Sequence, residues 1–280
     1  MPLYPSAEAL ISDAALRLDQ FGSDYGVLIV EGPDDKRFLC SRTCYRQQVI
    51  AAGGRRMLLA AHAVPVIREL NGIVFLTDCD YEVTLGNLSP SEGLIITRHA
   101  DIEADLLDAG GFKRLILQVV ATALDNEEEL TRITAAARQR SIALADVLGR
   151  TRQVAKSEGF KIDTGSIRHH KYRLPGSADV DEKKLIRAVY QASREPTLPF
   201  DIFAERVISI GPSYDNCNGH DLIAALNHVL RDDFGVRGQS PDQLETLLRA
   251  TIPETAFLAL DFVARLQQWE ERNVRRIIGL

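Results

Sequence analysis

Cysteine is scarce in this chain and is not arranged for metal binding or for a disulfide framework. Four cysteines occur, none of them in a CxxC pair: Cys40, Cys44, Cys79 and Cys217. A structural zinc site normally needs clustered thiolates or histidines, and small disulfide-rich folds need regularly spaced cysteines. We therefore expect reduced thiols and no structural zinc.

Long apolar runs are also missing. No stretch approaches the roughly 20 apolar residues that are needed to span a bilayer. The amino terminus shows no basic segment followed by an apolar one, which a secretory signal would require. We therefore expect a cytoplasmic chain that has no membrane partner.

Two features of many nucleic-acid-binding and nucleotide-binding proteins are missing as well. The chain has 33 Lys and Arg residues against 39 Asp and Glu residues, and its net charge is -6. Proteins that coat nucleic acid without sequence preference usually carry a basic excess, so that class is disfavoured, although a local basic groove beside an acidic site is still compatible. No GxxxxGK motif occurs, so the chain is not expected to power itself with ATP.

Short apolar runs alternate with helix-like segments in the first part of the chain. Strands are predicted at residues 27–30, 48–50, 72–77 and 94–97, and helices at 5–20, from residue 33, at 57–70 and at 101–108. Pro65 is expected to bend the third of these helices. Strands that alternate with helices are typical of a parallel sheet. We therefore predict an α/β fold, with a parallel sheet flanked by helices.

The remainder of the chain is expected to be mainly helical. Helices are predicted at 115–124, 127–149 and 182–193, followed by a helical carboxyl third. An apolar helical stripe there forms either core or a partner interface and could serve a homodimer; its members are Leu258, Phe262, Leu266 and Trp269. The predicted organisation is an N-terminal helix at 1–21, an α/β core at 22–112 and a mainly helical region at 113–280.

Acidic residues follow two of the predicted strands. Glu31 closes the first strand, and Asp78 and Asp80 close the third, with Cys79 between them. Because side chains alternate along a strand, Asp78 and Asp80 should point to the same side. If the first and third strands are neighbours, Glu31 joins them at the carboxyl edge, where open α/β sheets bind their ligands. The sequence thus predicts a pocket rich in carboxylate oxygens.

Carboxylates that meet in one pocket repel each other unless protons or a cation compensate them. Oxygen ligands favour Mg²⁺ or Mn²⁺ over zinc. A further acid, Glu103, lies in the first turn of the helix after the fourth strand, and could hold a second ion as in two-metal phosphoryl-transfer sites. The alternative is that individual acids such as Asp34, Asp35 and Asp101 only cap helices.

Two short segments resemble the signatures of the Toprim domain, which topoisomerases, bacterial primases and OLD-family nucleases share. They are Ile29-Val30-Glu31-Gly32 and Leu76-Thr77-Asp78-Cys79-Asp80. Four longer segments are similar to the uncharacterised, OLD-like Toprim branch that includes the nuclease effector subunit of PARIS phage-defence systems: VEGPDDKRFL, FLTDCDYE, ITRHADIEADLL and NGHDLIAAL. The resemblance implies a Toprim, Rossmann-like sheet with a mainly helical C-terminal part.

The resemblance also implies roles for individual residues. Glu31 would be a metal ligand or a general acid/base in phosphoryl transfer, and Asp78 and Asp80 would be catalytic, metal-binding aspartates. Asp35 and Glu103 would be accessory ligands of a second ion, of the kind that OLD-type nucleases use.

The positive group that would stabilise the pentacovalent phosphate is open. Related sequences often carry a lysine where Gly219-His220-Asp221 has histidine. The candidates are Lys36, His99, Lys171 and His220, of which we take Lys36 and His220 as the catalytic pair.

Basic residues concentrate at 149–173 in this otherwise acidic chain. Within that segment, Arg168, His169, Lys171 and Arg173 could contact a nucleic-acid backbone. The alternative is an ordinary solvated face on a helix and loop.

Together these patterns predict a Mg²⁺- or Mn²⁺-dependent nuclease acting on DNA or RNA, because every acid of the constellation is present. The resemblance implies a toxic effector of bacterial anti-phage defence, controlled by a separately encoded ABC-type ATPase partner. The alternative is a noncatalytic Toprim module that binds nucleic acid or a partner protein.

Overall fold

The computed structural model describes residues 4–68, 70–120, 126–162, 167, 169–174 and 179–279. The chain divides into two compact units, the first made of residues 1–79, 88–98 and 253–280 and the second of 80–87 and 99–252. The strands are β1 (Val27–Val30), β2 (Val49–Ala51), β3 (Ile73–Thr77) and β4 (Leu94–Ile96). The helices are α1 (Ala7–Phe21), α2 (Pro33–Leu39), α3 (Arg55–His62), α4 (Ile102–Leu106), α5 (Phe112–Val120), α6 (Glu127–Ser157), α7 (Glu182–Ala192), α8 (Phe200–Ile210), α9 (Gly219–Phe234), α10 (Pro241–Thr251), α11 (Glu254–Leu258) and α12 (Asp261–Asn273).

The strands form one parallel sheet in the order β2-β1-β3-β4. All of their residues are buried, as expected for a parallel sheet that is covered by helices. Because β2 and β3 lie on opposite sides of β1, the direction in which the chain adds strands reverses between β1 and β3. Such a switch point opens a crevice at the carboxyl ends of the strands. The predicted α/β class is confirmed: the fold is a Rossmann-like parallel sheet flanked by helices, with a mainly helical C-terminal part.

Helices of the first unit cover the sheet. Leu10 of α1 and Leu58 of α3 belong to the same buried cluster as Phe75 of β3. Helix α2 packs with β2, and α12 packs with β4. Phe38 of α2 meets Phe257 of α11 edge-on, with ring centroids 5.9 Å apart. The apolar positions that the sequence places on these elements therefore form the core that holds the carboxyl edge of the sheet in place.

The last part of the chain returns to the first unit. Arg276 forms a parallel bridge with Tyr25, just before β1. The buried amide of Gln48 donates to the carbonyls of Gly26 at 2.9 Å and of Arg276 at 2.7 Å. Residues 253–280 therefore belong to the same unit as the sheet. The two units differ in this respect from the predicted organisation, which divided the α/β core from the helical region after residue 112.

The apolar stripe is divided between two helices. Leu258 ends α11, whereas Phe262, Leu266 and Trp269 are buried on α12. Trp269 is the most exposed of these three at 8%. Of the two interpretations of the stripe, the structure favours the core. A homodimer stays a prediction, and these buried residues do not form an exposed apolar surface for it.

Several helix bounds differ from the sequence prediction, most clearly those of α3, α5 and α6. Helix α3 ends at His62, and a 3₁₀ turn follows at Pro65–Arg68, so Pro65 lies beyond the helix, which its missing N–H would interrupt. Helix α6 continues to Ser157, past the predicted end at residue 149. Helix α5 begins at Phe112, and residues 121–124 of the predicted helix lie outside the described residues.

Helix α6 is central to the second unit, where it packs against α8 and α9. Its Arg150 is 1% exposed, and it pairs with Asp146 at 2.8 Å and with Glu182 at 3.1 Å. A buried cation is tolerated only with such partners. Although α6 has 31 residues, none of the described helices is both long and apolar enough to cross a membrane.

Candidate functional site

Glu31 and Asp78 meet at the carboxyl edge of the sheet, within the first unit. Oε1 of Glu31 accepts a hydrogen bond of 2.5 Å from the hydroxyl of Thr77 and one of 3.0 Å from the amide of Asp78. The register explains the contact, because Val30 of β1 is paired with Leu76 of β3. The next residues of each strand, Glu31 and Thr77, therefore emerge side by side at the switch point.

The anchoring of Glu31 uses one oxygen only. Both hydrogen bonds end at Oε1, and within the described part of the chain Oε2 receives no hydrogen bond. A carboxylate that is fixed through one oxygen presents the other in a defined direction. Glu31 is half-buried and Asp78 is half-buried, so both lie where a ligand from solvent can reach them. The contact between them runs through the amide of Asp78, and each residue carries carboxylate oxygens, the donors that Mg²⁺ and Mn²⁺ prefer.

Asp35 has a structural role at the start of α2. Its Oδ2 accepts a hydrogen bond of 3.0 Å from the amide of Gly32, which is the N-cap residue of the helix. Asp34 pairs with Arg37 at 2.9 Å in an exposed ion pair. In the structure Asp35 therefore acts as a helix-capping residue, as the alternative interpretation expected. Its role as an accessory metal ligand stays a prediction.

The expected alternation of Asp78 and Asp80 along a strand is wrong. Strand β3 ends at Thr77, and Asp80 and Tyr81 adopt positive φ angles of 46° and 67°. The chain turns out of the extended conformation there, so the two-residue period no longer fixes the directions of the side chains. Asp80 belongs to the second unit, where its amide donates to the carbonyl of Ala100 at 2.9 Å.

A cluster of two acids and a histidine lies in the second unit. Asp101, Glu103 and His220 each offer a possible ligand atom, and these atoms all lie within 4.8 Å of one another. Oδ1 of Asp101 accepts from the amide of Ala104 at 2.8 Å and caps α4. Asp101 also accepts from the amide of Gly219 at 2.9 Å. The start of α4 is thereby joined to the start of α9.

Gly219 allows this close approach. A Cβ atom at position 219 would lie 2.3 Å from Oδ1 of Asp101 and 2.4 Å from Cβ of Glu103. Any side chain there would push α9 away from α4. Helix α9 begins at Gly219. The contact with Asp101 could not be predicted, since nothing in a short local motif indicates a partner that is more than one hundred residues distant.

The charges of this cluster are coupled. Burial, followed by the negative charge of Glu103, raises the pKa of Asp101 to about 7. Nδ1 of His220 donates to Glu245 at 3.0 Å; this bond and the charges of Asp101 and Glu103 raise the pKa of His220 to about 9, against the lowering effect of burial. Arg249 donates to Oε1 of Glu103 at 2.5 Å. Arg249 and His220 therefore compensate negative charge within the cluster.

The four candidate cations occupy different surroundings. His99 is 4% exposed, and its ring nitrogens lie 3.3 Å from Asp108 and 3.1 Å from Asp215. Lys36 is half-buried on α2 in the first unit, and Lys171 is exposed in the second. Only His220 shares the described cluster with a predicted metal ligand, Glu103.

Most described cations of the basic segment form ion pairs with acidic residues of the second unit. Arg173 donates to both oxygens of Asp233 at 2.8 and 2.7 Å, Arg152 pairs with Asp221, and Lys156 pairs with Glu82 at 2.8 Å. Of the predicted backbone contacts, Lys171 is exposed. Arg168 and the side chain of His169 lie outside the described residues. A phosphate track through this segment stays a prediction.

Comparison with known proteins gives no further indication. No model of a protein family matches the chain, and no curated protein matches it.

Proposed function

We propose that the chain is a Mg²⁺- or Mn²⁺-dependent nuclease that hydrolyses phosphodiester bonds in nucleic acid. The observation that carries the proposal is the meeting of Glu31 and Asp78 at the switch point of a parallel sheet, with Oε1 of Glu31 fixed by Thr77 and Asp78. Crevices at this position are where open α/β sheets bind ligands. The carboxylate of Glu31 is fixed there, and carboxylate oxygens suit a hard divalent cation.

The candidate ion ligands of the first unit are Glu31, Asp35 and Asp78, and those of the second unit are Asp80 and Glu103. A bound divalent cation would supply Lewis-acid stabilisation of the phosphoryl oxygens and a more acidic water. Glu31, held through Oε1, would present Oε2 as a ligand or accept a proton from the attacking water.

His220 is the candidate cation of the second unit that lies beside Glu103. Glu245 fixes its ring through Nδ1, and this hydrogen bond raises the pKa of His220. The second catalytic candidate, Lys36, lies one turn into α2, the helix that follows Glu31. The two can be separated experimentally, because they lie in different units.

The biological role rests on the resemblance alone. We propose a toxic effector of anti-phage defence that acts in the cytoplasm and is controlled by an ABC-type ATPase partner. Expression of the chain with and without such a partner, in cells challenged with phage, tests this role. Toxicity that persists in the Glu31→Gln variant would show that the proposed nuclease site is not needed for this role.

A noncatalytic module that binds nucleic acid or a partner protein is the second candidate. The observation in its favour is that accessory acids have structural partners. Asp35 caps α2 through Gly32, and Glu103 is bound to Arg249. Acids that already bind protein groups in this way have a structural role that does not require a metal ion.

A cleavage assay distinguishes the two candidates. Purified protein would be incubated with single-stranded and double-stranded DNA and RNA in the presence of Mn²⁺ or Mg²⁺. We expect cleavage that EDTA abolishes and that Glu31→Gln and Asp78→Asn reduce by a factor of about 100 or more, in the range expected when a catalytic group is removed. The matched control is Glu92→Gln, which removes an exposed carboxylate of the same unit. Binding without cleavage in the unsubstituted protein would favour the noncatalytic module.

A further inference from the structure

Four basic side chains line a cleft in the first unit. The cleft has a volume of about 420 Å³, and its charged residues are Arg17, Lys36, Arg37 and Arg46. Pro33 and Cys40 lie among them, and no carboxylate lines the cleft. The chain as a whole carries a net charge of -6, so this concentration of positive charge opposes the average of the molecule.

The fold assembles these cations from three separate parts of the sequence. Arg17 comes from α1, Lys36 and Arg37 come from α2, and Arg46 begins the 3₁₀ turn before β2. The guanidinium of Arg17 is fixed, because it donates to Asp13 at 3.2 and 3.0 Å and to the carbonyl of Gln47 at 2.9 Å. No local motif contains the set, so a pattern in the sequence could not indicate it.

The cleft keeps an excess of positive charge after its ion pairs are counted. Arg17 pairs with Asp13, and Arg37 pairs with Asp34 in a solvent-exposed bridge of a kind that contributes little and exchanges readily. Among the described residues, no carboxylate lies within ion-pair distance of Lys36 or Arg46. Arg46 is exposed and is therefore available to an anion from solvent, whereas the charge of Lys36 also acts on Asp13.

We propose that this cleft binds backbone phosphates of the nucleic acid on which the protein acts. Arginine forks and lysine ammonium groups are the side chains that bind phosphate most favourably. Cations on three different elements suit an extended polyanion better than one small anion. The inference rests on the proposed nuclease function and extends it, since it places substrate binding on α2, the helix that begins two residues after Glu31.

The experiment measures binding separately from cleavage. Fluorescence anisotropy of labelled single-stranded and duplex DNA and of single-stranded RNA would be recorded in EDTA over a range of salt concentrations. The variants are Arg46→Gln and Arg37→Gln, and the matched control is Arg272→Gln, which removes an exposed arginine of α12 in the same unit. Circular dichroism checks that each variant is folded.

We expect Arg46→Gln to weaken binding about fivefold to tenfold at 0.1 M salt and to lower the slope of log K against log salt by about 0.9 for duplex and about 0.7 for single strands, as the loss of one phosphate contact requires. Arg37→Gln should act in the same direction, and Arg272→Gln should have no effect. Binding and salt slopes that are unchanged in both cleft variants would overturn the proposal.

Inorganic phosphate distinguishes a backbone site from a site for one phosphate. We expect millimolar phosphate to compete no better than chloride at equal ionic strength, whereas complete displacement of the oligonucleotide by phosphate would overturn the backbone interpretation. The cleft and the nuclease function can also fail separately. Cleavage by a protein whose binding ignores Arg46 and Arg37 contradicts the cleft, and Arg46-dependent binding without cleavage contradicts the nuclease.

Discussion

The amide of Asp78 donates a hydrogen bond of 3.0 Å to Oε1 of Glu31. The two residues are 47 positions apart in the chain, and they meet because β1 and β3 are neighbours in the sheet. The bond orients the carboxylate of Glu31 and holds the ends of the two strands together. It places a fixed acid where the order of strands reverses, and the proposed chemistry depends on this arrangement.

Thr77 should act as a positioning residue for Glu31. Its hydroxyl donates to Oε1 of Glu31 at 2.5 Å, and Thr77→Val removes the donor while it nearly preserves the volume of the side chain. Loss of such an outer-shell partner typically costs about 10-fold to 100-fold in metal affinity or activity. We therefore expect kcat/KM for Mn²⁺-dependent cleavage to fall about 10-fold and the concentration of Mn²⁺ that gives half-maximal activity to rise.

The control for Thr77→Val is Thr131→Val, because Thr131 lies on the exposed surface of α6 and bonds only to its own helix. Thermal unfolding should show that both variants are folded. A Thr77→Val protein with unchanged activity and unchanged Mn²⁺ dependence would show that the hydroxyl does not orient Glu31.

Gly219→Ala should destabilise the second unit. The added methyl group would lie within 2.6 Å of Asp101, Glu103 and the amide of Ala104, so α9 has to move away from α4. Overpacking of this kind costs about 1–3 kcal/mol, and the hydrogen bond from the amide of Gly219 to Asp101 would be lost or lengthened. Urea unfolding measures the change in the free energy of unfolding.

Gly235→Ala gives a comparison on the same helix. Gly235 caps the other end of α9 with a φ of 68°, and a Cβ atom there would have no neighbour within 4 Å. Its substitution should cost only the backbone strain of a left-handed residue, about 1–2 kcal/mol. A Gly219→Ala protein that is as stable as the unsubstituted chain would contradict the close approach of α4 and α9.

Asp13 should make the stability of the chain depend on acid. Burial alone would raise the pKa of Asp13, but hydrogen bonds from Tyr4 and Arg17 and the charges of Arg17 and Lys36 lower it overall from its ordinary value of 3.8. A carboxyl whose pKa is lower in the folded state stabilises the fold above its unfolded pKa and loses this effect as the pH falls through its folded pKa.

The measurement is the free energy of unfolding in urea between pH 6 and pH 2.5 for the unsubstituted protein and Asp13→Asn. We expect the unsubstituted protein to be the more stable at pH 6. The difference should shrink as the pH falls below 3.8, the ordinary pKa of this carboxyl. A difference that does not change with pH would show that the ionised form of Asp13 has no special role.

The sequence was sufficient to predict what local pattern determines. Apolar runs identified all four strands of the described chain to within about one residue at most ends. The acid after β1 and the first acid after β3 followed from the parallel sheet, since neighbouring strands end at the same edge. Glu31 and Asp78 therefore lie together as a sheet of this kind requires.

Contacts that depend on distant parts of the chain could not be predicted in this way. The turn after Thr77 gives Asp80 a φ of 46°, and nothing in the DxD pattern marks the end of the strand. Asp101 meets Gly219 across 118 positions. Arg173 appeared free to bind phosphate, but the fold supplies Asp233 as its partner. In the last two cases the deciding partner comes from another element.

Binding of Mn²⁺ tests the central claim most directly. Titration of the metal-free protein with Mn²⁺, followed by electron paramagnetic resonance of the free ion, gives the number and affinity of the sites without reference to any nucleic acid. We predict that Glu31→Gln and Asp78→Asn each weaken at least one site about 10-fold or more, whereas Glu92→Gln leaves the titration unchanged. Mn²⁺ affinity that is the same in Glu31→Gln as in the unsubstituted protein would contradict the proposed metal site.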